Sequence, residues 1–253
     1  MKLAVENIDK RFEKPGGVFA ASKGTVHAVK NVSFAVPEGE SLGIVGESGS
    51  GKTTLAKILA GFYQTDGGSA SFGTLDLLKL NRRERAKTVQ MIFQDPFASL
   101  NPKLILRTQI CEVLKAMGEA AVGETAGHLM EEVGLSANDL NRYPHQLSGG
   151  QRQRFALARA LAAKPRLLLA DEPVSSLDIA VQAQIINLLN KLRKELNFTQ
   201  IVISHDLAVV ANLCDRIIVM KEGEVVEENS VLEILGKPQN SYTQKLLAAV
   251  PTI

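Results

Sequence analysis

Apolar and polar residues alternate over the first 45 positions, with Leu3 and Val5, and later Val32, Phe34 and Val36, falling on one face. A period of two predicts strands of a half-buried sheet. Between them Lys14 to Thr25 (KPGGVFAASKGT) reads as a loop. After the turn Pro37-Glu38-Gly39, Ser41 to Val45 is a short apolar strand; a Gly-rich stretch follows, then Leu55, Ile58 and Leu59 recur at helical spacing up to Gly61. From Pro96 to Pro165 the strand pattern disappears and helical pieces dominate, broken at Gly118, Gly123, Gly134 and Pro144. It then returns. Leu167 to Ala170 is an apolar strand, Asp178 to Asn197 a helix with Ile185, Leu188, Leu189, Leu192 and Leu196 on one stripe, and Ile201 to Ser204 and Ile217 to Met220 are further strands. Strands alternating with helices of this length predict an α/β fold with right-handed crossovers and a mainly parallel sheet covered on both faces.

Composition narrows the class without choosing a function. The 253 residues are 45% hydrophobic and 22% charged, which excludes disordered, collagenous and coiled-coil chains. With 29 basic and 27 acidic side chains the net charge is +2, which gives no reason to expect a nucleic-acid partner. Cys111 and Cys214 have no CxxC partner, and His27, His128, His145 and His205 lack metal-ligand spacing, so any metal is expected to come with a ligand. Charges interrupt every apolar stretch of the N-terminus and no run of about 18 apolar residues occurs, so neither a signal peptide nor a membrane anchor is expected.

Chemistry enters with Gly46-Glu47-Ser48-Gly49-Ser50-Gly51-Lys52-Thr53, which matches GxxxxGK[ST] between a predicted strand and a predicted helix. Glycines at 46, 49 and 51 let backbone N–H groups of the loop, including those of Ser48 and Ser50, turn around phosphate oxygens. The helix N-terminus adds partial positive charge, Lys52 can reach the β- and γ-phosphates, and the Thr53 hydroxyl can ligate Mg²⁺. Thr54 offers a further hydroxyl. The bland alternative, a flexible Gly/Ser turn, is disfavoured by the strand and helix on either side. Leu167 to Ala170 ends at Asp171-Glu172-Pro173, where α/β ligands bind at the carboxyl ends of strands. Asp171 suits the metal and Glu172 the attacking water, unless the pair is only a solvated acidic turn.

Leu147-Ser148-Gly149-Gly150-Gln151 leads into the helical run QRQRFALARALAA, and here the chain resembles the ABC-transporter ATPases, whose signature is LSGGQ. The other family motifs occur in order: Gln94 after the strand Val89 to Phe93 at the Q-loop position, Ser175-Ser176-Leu177-Asp178 as the D-loop, and His205 as the switch histidine. The resemblance implies a P-loop NTPase of ABC type: a mainly parallel core sheet, an antiparallel β subdomain and an inserted helical subdomain. The core would be residues 1–94 and 166–235, the helical signature subdomain 95–165 and the tail 236–253. It implies ATP and Mg²⁺, with Thr53, Gln94 and Asp171 on the metal, Glu172, His205 and Gln94 as catalytic residues, and Asp178 at the nucleotide. Ser148 suits an N-cap, and Gly149, Gly150 and Gln151 form a second anion surface. In the family that surface closes over the ATP of another subunit, head to tail. An N-terminal aromatic usually stacks on adenine; Phe12 is the positional match and Phe19 the fallback, against the reading of Phe12 as an ordinary sheet-edge aromatic.

Phe93 to Pro102 (FQDPFASLNP), Tyr143-Pro144-His145, Val174 after Pro173, and the tail Ser241 to Pro251 (SYTQKLLAAVP) are similar to the ATPases of oligopeptide, dipeptide and nickel importers. Many of those continue into a cysteine-containing extension; with no cysteine after Cys214, neither an iron–sulfur nor a zinc site is expected. The resemblance implies a peripheral subunit on the cytoplasmic face of the inner membrane. Its partners would be transmembrane permeases, a second ATPase subunit, identical or related, and indirectly a solute-binding protein. The Phe97-Ala98-Ser99-Leu100 patch is expected to be exposed and to receive a permease helix, the alternative being packing inside the helical subdomain. An exporter or lipoprotein-extraction ATPase is the nearer rival function, and a soluble non-transport ATPase the more distant one.

Overall fold

The N-terminal alternation folds as an antiparallel pair, β1 (Lys2–Glu13) with β2 (Thr25–Pro37), in which Leu3 faces Val36 and Val5 faces Phe34. These side chains are buried. The structure is a computed structural model describing residues 1–13, 24–95 and 99–248, so Phe19, Pro96, Phe97, Ala98 and the last five tail residues lie outside the described residues. By its internal contacts the chain divides into two units, residues 1–81 with 201–253, and residues 82–200.

The first unit holds two sheets. β4 (Gly67–Phe72) and β5 (Leu75–Asp76) extend the first pair into the antiparallel order β2-β1-β4-β5. In the second sheet β3 (Ser41–Val45) runs parallel to β9 (Arg216–Lys221), and β10 (Glu224–Ser230) pairs antiparallel with β9. Residues 201–203 of β8 (Thr199–Ile203) lie on the other side of β3, where the Ser204 N–H donates to the Ile44 carbonyl at 3.3 Å. All five residues of β3 are buried, as a strand covered on both faces requires. α1 (Lys52–Leu59) follows β3, α7 (Leu207–Leu213) follows β8, and α8 (Val231–Gly236) and α9 (Ser241–Ala248) come last.

The second unit begins with α2 (Arg82–Thr88) and pairs β6 (Val89–Ile92) parallel with β7 (Leu167–Asp171), Ile92 opposite Ala170. Between those strands none of the described residues from 99 to 165 is in a strand. α3 (Leu106–Met117), α4 (Val122–Glu132) and α5 (Gly149–Leu161) bury Leu106, Ile110, Ala126, Met130 and Phe155 in a common core. Gly118 ends α3 in the left-handed conformation at φ 84°, and Pro144 starts a 3₁₀ turn, Pro144–Gln146. Gly123 is not a break: α4 begins one residue before it, and glycine is tolerated in a first turn where few intrahelical bonds are at stake. α6 (Ile179–Leu196) starts at Asp178, whose carboxylate accepts from the Val181 N–H at 2.9 Å, and stops at Asn197 with φ 51°. Ile185, Leu188, Leu189 and Leu192 are buried, but Leu196, on the same stripe and the last residue of the helix, is 49% exposed. Among the described residues, no helix is long and apolar enough to cross a membrane.

Candidate functional site

In the first unit the loop after β3 is shaped by its glycines. Gly46 has φ 148° and Gly51 φ 103°, and a Cβ would stand 2.1 Å from the Met220 carbonyl oxygen at the first and 2.3 Å from that of Ala28 at the second. Only glycine passes between those two strands. Gly49, by contrast, has open space where a Cβ would go. Gly51 is the N-cap of α1 with no side-chain cap bond, and no acidic residue sits in the first turn, so nothing on that helix offsets the positive end of its dipole. Glu47, Ser48 and Gly49 are exposed, Thr53 and Thr54 half-buried.

Lys52 is 6% exposed, and its ammonium donates to the Gly46 carbonyl at 2.7 Å, the Glu47 carbonyl at 2.7 Å and the Ser50 hydroxyl at 3.3 Å. A buried ammonium needs such acceptors. His205, exposed, follows β8 immediately beyond Ser204 and so leaves the sheet beside the strand that launches the loop. Its neighbours are fixed: the Ser204 hydroxyl accepts from the Asp206 N–H at 2.9 Å, and the Asp206 carboxylate caps α7 through the Ala208 N–H at 2.8 Å. Phe12, near the end of β1, meets the Tyr63 ring edge-on at 5.3 Å and has the Lys10 ammonium 5.4 Å from its centroid. Tyr63 carried no sequence signal; it sits just after α1, in a stretch without period.

The second unit gathers the remaining candidates. Asp171, 5% exposed, is the last residue of β7, and Gln94, exposed, lies two residues beyond β6; being parallel neighbours, the two strands deliver both residues at the same end. Glu172 has φ 48°, a left-handed conformation costing a non-glycine residue about 1–2 kcal/mol. Both the amide (3.4 Å) and the hydroxyl (3.3 Å) of Ser175 donate to its carbonyl and hold the turn. Farther along, the Gln182 side-chain amide donates to the Val174 and Leu177 carbonyls, so residues 172–178 are tied to the α6 that Asp178 caps.

Ser148 and Gln151 form a capping box on α5: the Ser148 hydroxyl accepts from the Gln151 N–H at 3.3 Å, and the Gln151 side-chain oxygen accepts from the Ser148 N–H at 2.9 Å. The Ser148 hydroxyl keeps its own hydrogen to donate outward. Gly150 lies against α6, where a Cβ would be 2.6 Å from Val181, and Gly149 faces Leu177, so signature and D-loop residues share one packed corner. Among the described residues no three His, Cys, Asp or Glu side chains cluster as a metal cage would need.

The expected docking patch is corrected in part. Leu100 is 3% exposed, because an apolar side chain between polar neighbours gains most by turning into the helical core, and the Ser99 carbonyl accepts from Arg159 at 2.7 Å. The open feature there is a hollow of about 500 Å³ whose lining includes Ser99, Leu104, Glu112, Val113, Met117 and Arg159.

A family model described as "ABC transporter" matches residues 29–175. The chain is 43% identical over 256 residues to the oligopeptide transport ATP-binding protein AppF of Bacillus subtilis, covering 98% of this chain and 78% of that one. It is 44% identical over 241 residues to the oligopeptide transport ATP-binding protein OppF of Haemophilus influenzae, covering 92% and 73%. Among solved structures it is similar, at TM-score 0.76 and 30% identity over 90% of this chain and 98% of the other, to the dimeric post-hydrolysis state of the ATP-binding cassette MJ0796 bound to ADP and Pi.

Proposed function

This chain belongs to the ABC transporter family, in which it is an ATP-binding and ATP-hydrolysing subunit, and we propose that the machine it energises is an importer of peptides or chemically related small solutes. The likeness to oligopeptide transport ATP-binding proteins over nearly the whole chain supports import of peptides over the exporter and lipoprotein-extraction readings.

The observation that carries the nucleotide site is the loop at residues 46–53, wedged between backbone walls and opening at the N-terminus of α1. On this reading its amides and the α1 dipole bind the phosphates, and Lys52 donates to the β- and γ-phosphate oxygens. Glu172, turned out of β7 by its left-handed backbone, orients the attacking water and takes its proton; His205 donates to the γ-phosphate. Gln94 and Asp171, at the ends of parallel strands, and the Thr53 hydroxyl are the proposed metal donors, all of them oxygens. That set fits Mg²⁺, which usually binds through one or two protein groups plus phosphates. When bound, the ion neutralises charge developing on the phosphates.

The signature is assigned to the other subunit's nucleotide. Ser148 would donate its hydroxyl hydrogen to the γ-phosphate, while Gly149 and Gly150 allow close backbone approach, in a head-to-tail pair of identical or related subunits. Phe12 is the proposed base-stacking aromatic. The permease helix is assigned to the hollow beside Ser99, which makes the chain a peripheral subunit on the cytoplasmic membrane face, partnered by permeases and, through them, by a solute-binding protein.

Lys52→Ala is expected to abolish nucleotide binding; unchanged ATP affinity would sink the loop assignment. For the transport reading, the chain is reconstituted with its permeases in proteoliposomes and labelled peptide is followed. ATP-dependent movement toward the side bearing this subunit supports import, and movement away from it refutes import.

A further inference from the structure

The tail motif Ser241-Tyr242-Thr243 plays no part in the chemistry above, yet the structure connects it to the phosphate loop. The backbone N–H of Glu47 donates to the Tyr242 hydroxyl oxygen at 3.1 Å. We infer that Tyr242 is a positioning residue for the phosphate loop and that α9 thereby sets the affinity of this chain for nucleotide. The inference rests on the loop being the nucleotide site.

The geometry lies in a single peptide group. The Glu47 N–H and the Gly46 carbonyl share one plane, so fixing one end orients the other. Tyr242 holds the N–H, and the Lys52 ammonium holds the carbonyl at 2.7 Å. Gly46, at φ 148°, has a backbone freedom that no side chain of its own restrains, so the plane depends on outside contacts.

Tyr242 is itself anchored. Its ring is 9% exposed and packs in a cluster with Val45, the last residue of β3, and with Leu207 and Val219. The Lys221 ammonium lies 5.2 Å from the ring centroid. Its amide donates to the Asn240 side-chain oxygen at 2.8 Å, and the Asn240 side-chain nitrogen donates to the Val226 carbonyl at 3.2 Å. The Glu227 carboxylate accepts from the Gln239 and Asn240 amides at 2.8 and 3.1 Å. A continuous path therefore runs from β10 through Asn240 and Tyr242 to the Gly46–Glu47 peptide and Lys52. Ring burial alone would account for a phenylalanine here; the hydroxyl is what reaches the loop.

Tyr242→Phe in the full chain keeps the ring and removes that oxygen. Titration with a fluorescent ATP analogue is expected to give a Kd weakened about two- to tenfold, the scale of one net hydrogen bond. Hydrogen exchange without nucleotide is expected to quicken in residues 46–53. Wild-type Kd and exchange in Tyr242→Phe would overturn the inference, as would a variant that only melts earlier. Lys52→Ala, titrated in parallel, separates the two readings. If it still binds the analogue, the site assignment fails whatever Tyr242 does. If it loses binding while Tyr242→Phe behaves as wild type, only the positioning role fails.

Discussion

Alanine at Gly49 and at Gly51 places the same methyl group in one loop with opposite surroundings. Both positions have positive φ, 82° and 103°, so each substitution costs about 1–2 kcal/mol of left-handed strain. The less flexible unfolded chain returns about 0.4–1 kcal/mol of this. At Gly49 nothing stands within 4 Å of the new Cβ and the cost ends there, at about 1 kcal/mol. At Gly51 the Cβ would be 2.3 Å from the Ala28 carbonyl oxygen, about 1 Å inside ordinary contact. Ala28 lies in β2, and two residues on the Lys30 N–H donates to the Gly223 carbonyl at 2.8 Å, so the wall is held and overpacking adds about 1–3 kcal/mol. Urea denaturation without nucleotide should therefore rank Gly51→Ala well below Gly49→Ala. Titration with ATP should show Gly49→Ala losing affinity despite its near-normal stability, because its methyl projects from the exposed rim where phosphate is proposed to approach. Equal stability losses, or a greater loss at Gly49, would refute the wedged-loop geometry.

Glu172→Gln is expected to bind ATP normally but hydrolyse it at least about a hundredfold more slowly, with ATP-dependent dimers accumulating; size-exclusion chromatography that finds only monomer with ATP and Mg²⁺ counts against the head-to-tail pair. Ser148→Ala removes the α5 cap and should cost about 0.5–2 kcal/mol in urea; Ser148→Asp should restore the cap but not the ATPase rate, since a carboxylate repels phosphate, and recovery of both would confine Ser148 to capping. Burial pushes the Glu227 carboxyl up, but the Thr243 hydroxyl and the Gln239 and Asn240 amides outweigh it and leave it below its ordinary value of 4.5. Since its folded value is the lower one, its contribution is present above the ordinary value and lost as pH falls through the folded one. Hydrogen exchange in α9 should accelerate on acidification below about pH 4.5 and lose that dependence in Glu227→Gln; a wild-type tail that loosens as pH rises would contradict the sign.

What was legible in the sequence is what one residue type can fix. β3 and β7 are wholly buried, so their apolar runs announce them, and α6 is bounded by a cap at Asp178 and a left-handed Asn197. The loop at 46–53 was legible because only glycine passes the Ala28 and Met220 carbonyls. β4 was missed: it buries only Ala70 and Phe72 out of GGSASF, and such an alternation does not stand out from a turn. β10, EVVEENS, has no fully buried residue and reads as polar surface, although pairing with β9 makes it a strand. α2, RRERAKT, buries only Thr88 and carries no apolar stripe.

The same division runs through the site. Lys52 reads as a candidate phosphate ligand because the proposed chemistry asks for an ammonium at that spacing. That it also braces the loop, donating to Gly46 and Glu47 as well as Ser50, depends on which way two carbonyls point, and no spacing encodes that. The other end of the Gly46–Glu47 peptide is held from 195 residues away by Tyr242, which from sequence looks like any core aromatic on a short helix. Local braces travel with the motif because six residues of chain put them there. Remote braces depend on the whole of the first unit closing, through β9, β10 and the Asn240 turn, before the hydroxyl meets the loop. A sequence motif therefore points to candidate ligand groups and is silent on the groups that hold those in place, and it is the second set that the structure adds.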